Sequence, residues 1–169
     1  MTNDLDLLLA ERAITRVILA YSRAVDRYDF EALRDCYWPD GTDDHGSFQG
    51  TRDAFVDWNQ DALARFDLTC HFLGNILVDV DLDADSAVAE TYAVAHHRFT
   101  DADGQLTDMT AGLRYVDRFV RRSGEWRILE RVIAYEWRRT DPAIGPSGFA
   151  EEYVRGVRSR DDIVYTIGQ

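Results

Sequence analysis

A chain of 169 residues suits one domain with a core of its own. Its 31 acidic and 19 basic residues leave a net charge of −12. That balance excludes a surface built for nucleic-acid phosphates and is equally unsuited to an anionic membrane. No apolar run approaches the roughly 18 residues of a membrane span, and MTNDLD lacks the basic and apolar regions of a signal peptide. Cys36 and Cys70 make neither a disulfide framework nor a metal spacing, so a reducing cytoplasm is the expected compartment.

In chain order, Ala10, Ile14, Val17, Ile18, Tyr21 and Val25 recur at three- and four-residue steps, which predicts one amphipathic helix from about Leu7 to Val25. Asp26 falls at the end of its buried stripe. Asp29 can cap a second helix, FEALRDCYW, closed by Pro39 and Asp40-Gly41. TDDHGSF could form a strand, and Gly50-Thr51 opens a third helix with Phe55, Trp58, Ala62 and Phe66 along one side. From there the period becomes two. Residues 69–82, 86–100, 108–121 and 126–138 read as strands separated by DLDADS, TDADGQ and RRSGE, an antiparallel meander. The fold class is therefore α+β, with three helices gathered on one face of the sheet. Residues 1–140 form the domain, and 141–169 form a tail, read as a flap or oligomer contact, with a short helix in FAEEYVRGVRS.

Several residues carry chemistry. His71, in TCHFLGN, shares a strand face with Thr69, Leu73 and Asn75. In RILERVIAYEW the odd positions Leu129, Ile133, Tyr135 and Trp137 form an apolar face with Arg131 in its middle, where a guanidinium must be paired or open to a cavity. His96 and His97 point to opposite faces, and periodicity does not say which face is the pocket. A carboxylate such as Asp26 beside a neutral histidine fixes its tautomer and raises its basicity. Adjacent strand residues face opposite ways, so Cys70 and His71 are not a nucleophilic pair. No phosphate loop, nucleophile elbow or metal motif is present, and no metal is expected from His45, His71 and His96.

The strings AITRVILAYSRAVDRYDFEAL, DHGSFQG, TCHFLGN and RRSGEWRI, in that order, resemble the SnoaL-like dehydratase branch of the nuclear transport factor 2 superfamily. That group includes scytalone dehydratase, hexachlorocyclohexane dehydrochlorinase and bile-acid 7α-dehydratase, and the likeness runs over residues 8 to 138. It implies a cone-shaped α+β barrel, a curved antiparallel sheet closed by helices around an apolar pocket. It also implies an Asp26–His71 dyad as general base, with His96 as a second active-site histidine. Tyr21 and Arg131 match a tyrosine and an arginine of such sites, and His45 stands where a tyrosine helps to hold a water. Tyr115 and Leu113 replace a small polar pair, which sets scytalone itself aside as substrate. Catalytic residues are thus expected to be Asp26, His71, Arg131 and His96, with Tyr21, His45, Trp58 and Tyr115 binding substrate.

The chemistry that follows is a cofactor-independent elimination, of dehydratase type, or an isomerisation on a small hydrophobic cyclic metabolite. The other class that fits is a non-catalytic ligand binder or accessory subunit of the same fold. The resemblance further implies a homo-oligomer, trimer or dimer, with the convex side of the sheet as the natural interface.

Overall fold

A computed structural model describes residues 4–143 and 152–168. The elements run α1 (Asp4–Asp26), α2 (Phe30–Asp35), β1 (Tyr37–Asp44), β2 (Gln49–Thr51), α3 (Arg52–Ala64), β3 (Leu68–Asp81), β4 (Ser86–Thr100), β5 (Leu106–Arg122), β6 (Glu125–Pro142) and α4 (Ile163–Thr166). The six strands form one sheet in the order β2-β1-β6-β5-β4-β3. The meander of β3 to β6 is antiparallel, but β1 pairs with β6 in parallel, so the sheet is mixed rather than antiparallel throughout. Parallel neighbours need a long crossover, and here everything from β2 to β5 lies between them in sequence.

The helices pack on one face. Helix α1 buries Ala10, Ile14, Ile18, Tyr21 and Val25, the predicted stripe without Val17, which is partly buried. Full burial of an isoleucine such as Ile18 contributes roughly 1.5–3 kcal/mol, and Ile18→Ala would cost about 2–5 kcal/mol. The helix ends at Asp26, and Tyr28 takes a left-handed φ of 58° before Asp29 caps α2 by accepting from the Ala32 N–H. Facing α1 and α3, β4 turns inward Ala87, Ala89, Ala93 and Ala95. Those short side chains leave the space in which a cavity can exist.

Several details differ from the sequence reading. Helix α2 stops at Asp35, and Tyr37 to Asp44 extend as β1, because Ile128 donates its N–H to Cys36 O and draws the chain onto the sheet edge. In β3 the register slips between Leu73 and Ile76, so Asn75 leaves the face that His71 and Leu73 share. Strand β6 has two bulges, at Leu129 and at Glu136. The first puts Trp126 and Ile128 inward before it and Arg131, Ile133 and Tyr135 inward after it. The second sends Trp137 outward, over Gly112, where any Cβ would overlap its indole. One predicted face thus becomes two half-faces, since each extra residue reverses the alternation. Of the predicted tail helix, residues 149–151 lie outside the described residues and 152–159 are not helical; a short helix stands instead at Ile163–Thr166. This segment returns to the end of α1, with Arg27 bonded to Asp162 and Arg160 and Tyr165 bonded to Asp29.

Candidate active site

A cavity of about 450 Å³ opens between the inward sheet face and α1 and α3, within the size range of small-molecule sites. Tyr21 and Val25 of α1, Trp58, Asn59 and Leu63 of α3, and Ala95, Ala111, Leu113, Tyr115 and Tyr135 of the sheet supply most of its wall.

His71 enters from β3. Its Nδ1 is 2.7 Å from Asp26 Oδ1, and its backbone N–H donates to Asp26 Oδ2 at 2.8 Å. A carboxylate can only accept, so the proton of the neutral ring resides on Nδ1 and Nε2 keeps a lone pair. Asp26 is behind the ring and does not line the cavity. A single carboxylate therefore fixes both the backbone and the ring of the residue that faces the ligand space.

His45 lines the opposite end, in the turn after β1. Its Nδ1 is 2.7 Å from Oδ1 of the buried Asp43, whose Oδ2 accepts from Tyr37 OH at 2.6 Å. The His45 ring stacks on Phe55 and lies against Trp58. Burial first, then the Asp43 charge, raises the Tyr37 hydroxyl well above its ordinary value, so it remains a donor.

The structure places Tyr21, His45, Trp58, His71 and Tyr115 on the cavity, with Asp26 behind His71. Two expected residues lie elsewhere. His96 points to the outer face, bonded to Thr110 and near Asp108; strand alternation gives the cavity His97 instead. The His97 ring is 5.5 Å from that of His71, and burial, then the His71 ring, pushes its imidazole down to about 3, so it is neutral. With His96 turned away, His45, His71 and His96 do not assemble, and among the described residues no group of three His, Cys, Asp or Glu could hold a metal.

Arg131 does not line the cavity either. Fully buried, it makes two 2.6 Å bonds to Asp117, and its guanidinium carbon is 4.0 and 4.2 Å from the ring centroids of Tyr21 and Tyr115. It is one ring thickness below the cavity, where it supports two residues that line it. Burial raises the Tyr21 and Tyr115 hydroxyls well above their ordinary values, so both remain donors at neutral pH.

The sequence reading missed Asp43 and Asp117, and between His96 and His97, whose faces it left undecided, the resemblance put His96 in the site. Asp43 is two residues before His45, which directly follows the end of β1, so the expected strand over TDDHGSF would have put the two on one face by alternation. Asp117 faces Arg131 only through the β5–β6 register, which the Leu129 bulge shifts. His97 shares its face with Ala89, Ala93 and Ala95, and that small-residue face is the concave one.

Residues 6–132 match the SnoaL-like domain. The chain belongs to that family. It is 30% identical over 122 residues to an uncharacterised protein of Mycobacterium tuberculosis, covering 70% of this SnoaL-like chain and 80% of the relative. Among solved structures, a scytalone-dehydratase-like protein of Novosphingobium aromaticivorans is 26% identical with a TM-score of 0.69, over 85% of this chain and 97% of that one. A hexachlorocyclohexane dehydrochlorinase of Novosphingobium barchaimii is similar at 17% identity and a TM-score of 0.74, over 85% of this chain and all of that one, a likeness of fold. These neighbours share the cone-like α+β architecture, which in this SnoaL-like chain is an open sheet of six strands. Among its described residues no helix is long and apolar enough to cross a membrane.

Proposed function

We propose that the chain is a lyase that eliminates water or another small leaving group from a small hydrophobic cyclic molecule, or carries out the related proton shift of an isomerase, with His71 as general base. The observation that carries this reading is the Nε2 edge of His71, left without a partner among the described residues on a ring whose other nitrogen Asp26 occupies, in an otherwise largely apolar cavity. A base so positioned typically supplies about 10² to 10⁴ in rate. The Tyr21 and Tyr115 hydroxyls are suited to steadying a developing oxyanion. The family match and the dehydratase- and dehydrochlorinase-type neighbours support lyase chemistry in general. A non-catalytic carrier would have no use for a carboxylate spent wholly on one histidine.

The cavity wall bears on the substrate as well. No Asp or Glu lines it, while Arg65, whose guanidinium lies over the Phe66 ring, and Arg138 do. A ring that carries an acceptor or anionic group fits that wall best.

For assembly, the outer face supplies a continuous apolar row. Phe72, Val94, Gly112 and Trp137 are register partners across β3, β4, β5 and β6, and Phe72 and Trp137 are 72% and 51% exposed. Copies of the chain meet there in this reading.

The test of the base uses 5-nitro-1,2-benzisoxazole, whose ring opens on removal of one carbon-bound proton. His71→Gln and Asp26→Asn are expected to lower kcat/KM for this opening by at least about tenfold with the fold intact by circular dichroism. Full turnover by folded His71→Gln would remove the base assignment.

A further inference from the structure

Two histidines, not one, present the same construction to the cavity. In each, Nδ1 is 2.7 Å from one oxygen of an Asp whose other oxygen is held by a fixed donor: the backbone N–H of residue 71 for Asp26, and Tyr37 OH for Asp43. In each, Nε2 has no partner among the described residues, and both rings line the one cavity. They arrive from opposite ends of the sheet, His71 on edge strand β3 and His45 just after β1. The His45 ring is further clamped by Phe55 and Trp58, so it is not a loosely held surface imidazole. Asp43 is 1% exposed, and a buried carboxylate at that position has a purpose only if it stays bonded to its two donors.

We infer that His45 is the catalytic acid that protonates the leaving group, and that Asp43 is the positioning residue that orients it. The inference rests on the reading of His71 as base. In the step, the C–H bond breaks and its proton goes to His71 Nε2, while its electron pair becomes the new π bond. The bond to the leaving atom breaks, its pair stays with that atom, and His45, which enters the step with a proton on each ring nitrogen, supplies the one on Nε2 that neutralises it and keeps the one on Nδ1 toward Asp43. The two rings finish with their protonation states exchanged, and proton exchange with water through the cavity mouth restores them. Two like groups with opposite duties at the two ends of one substrate is a common way to run an acid and a base together.

The inference predicts a dependence on leaving group that separates the two histidines. Opening of a 1,2-benzisoxazole breaks C3–H and N–O, forms the nitrile and releases a phenolate. The 5-nitro phenolate departs readily without a proton, whereas the unsubstituted one gains from an acid. For His45→Gln, kcat/KM on unsubstituted 1,2-benzisoxazole is expected to fall at least about tenfold, against less than about threefold on the 5-nitro compound. Asp43→Asn should show the same selectivity in weaker form. His71→Gln should slow both probes alike. An equal loss on both probes for His45→Gln, or no loss on either, overturns the acid assignment and leaves the base assignment standing. A His71→Gln variant with unchanged rates overturns the base instead, whatever His45 does. If His45→Gln does not fold, His45→Phe keeps the stack on Phe55 and removes the proton, and the same comparison applies.

Discussion

Asp26 holds His71 at two points, accepting the backbone N–H with Oδ2 and meeting ring Nδ1 with Oδ1. An asparagine has one acceptor, and its amide nitrogen would face a second donor. Asp26→Asn is therefore expected either to turn the ring or to move the proton to Nε2. Ring ¹⁵N shifts of His71 should report the changed tautomer directly, alongside the tenfold loss of turnover on 5-nitro-1,2-benzisoxazole. Unchanged shifts with lost activity would place the role of Asp26 elsewhere than in ring orientation.

Arg131 and Asp117 form a buried pair under the cavity floor. Burial raises the Asp117 carboxyl above its ordinary value, against the Arg131 charge, so the carboxylate depends on that guanidinium. Arg131→Met strands Asp117 and is expected to cost about 3–5 kcal/mol in urea unfolding. Arg131→Met with Asp117→Leu should recover a large part of that loss, because the two charges leave together. Equal stabilities for the single and double variants would mean that stacking on Tyr21 and Tyr115, not charge, sets the cost.

His97 gives a stability that depends on pH in a stated direction. Its ring, ordinarily near 6.5, is held down to about 3 by burial and then by the His71 ring. Between those values the unfolded chain binds a proton that the folded chain does not. Stability is thus fully present above about pH 6.5 and is lost as pH falls toward 3, by at most about 1.4 kcal/mol per unit. Thermal unfolding from pH 7 to pH 4 should show the decline, and His97→Phe should flatten it. A slope unaltered by that substitution would assign the acid sensitivity to other groups.

The outer row predicts an association that one charge disrupts. Phe72 follows His71 in β3 but points to the opposite, outer face and is not part of the cavity wall, so Phe72→Asp should leave the fold unaltered. Light scattering coupled to size exclusion is expected to show a multimer for the parent chain and a smaller species for the variant. A parent chain that elutes as a monomer would set this interface aside.

Much of this was legible in the residues. Period 3.6 marked α1 and α3, period 2 marked β3 to β6, and the family resemblance, not periodicity, paired Asp26 with His71. What was hidden depends on three register slips, in β3 after Leu73 and in β6 at Leu129 and Glu136. A bulge is one residue of backbone with no composition signal of its own, yet it reverses every side chain beyond it. That is why Asn75 and Trp137 left their predicted faces. Arg131 did point inward, but its depth depended on Tyr21 and Tyr115 closing over it, a tertiary fact. The choice between His96 and His97 needed only the observation that alanines mark the concave side.

Strand β3 is one boundary of the open sheet, and β1 is next to the other. From β1 through β6, β5 and β4 to β3 there are four interstrand steps of about 4.8 Å each, so a flat sheet would hold His45 and His71 roughly 19 Å apart. Only the bend of the sheet makes them neighbours of one small molecule. The gap between the two imidazoles therefore works as a caliper whose setting is distributed over every strand between them. A substitution that flattens any one of those strands, however far from both histidines, would open the jaws and change which molecules the two rings can grip at once.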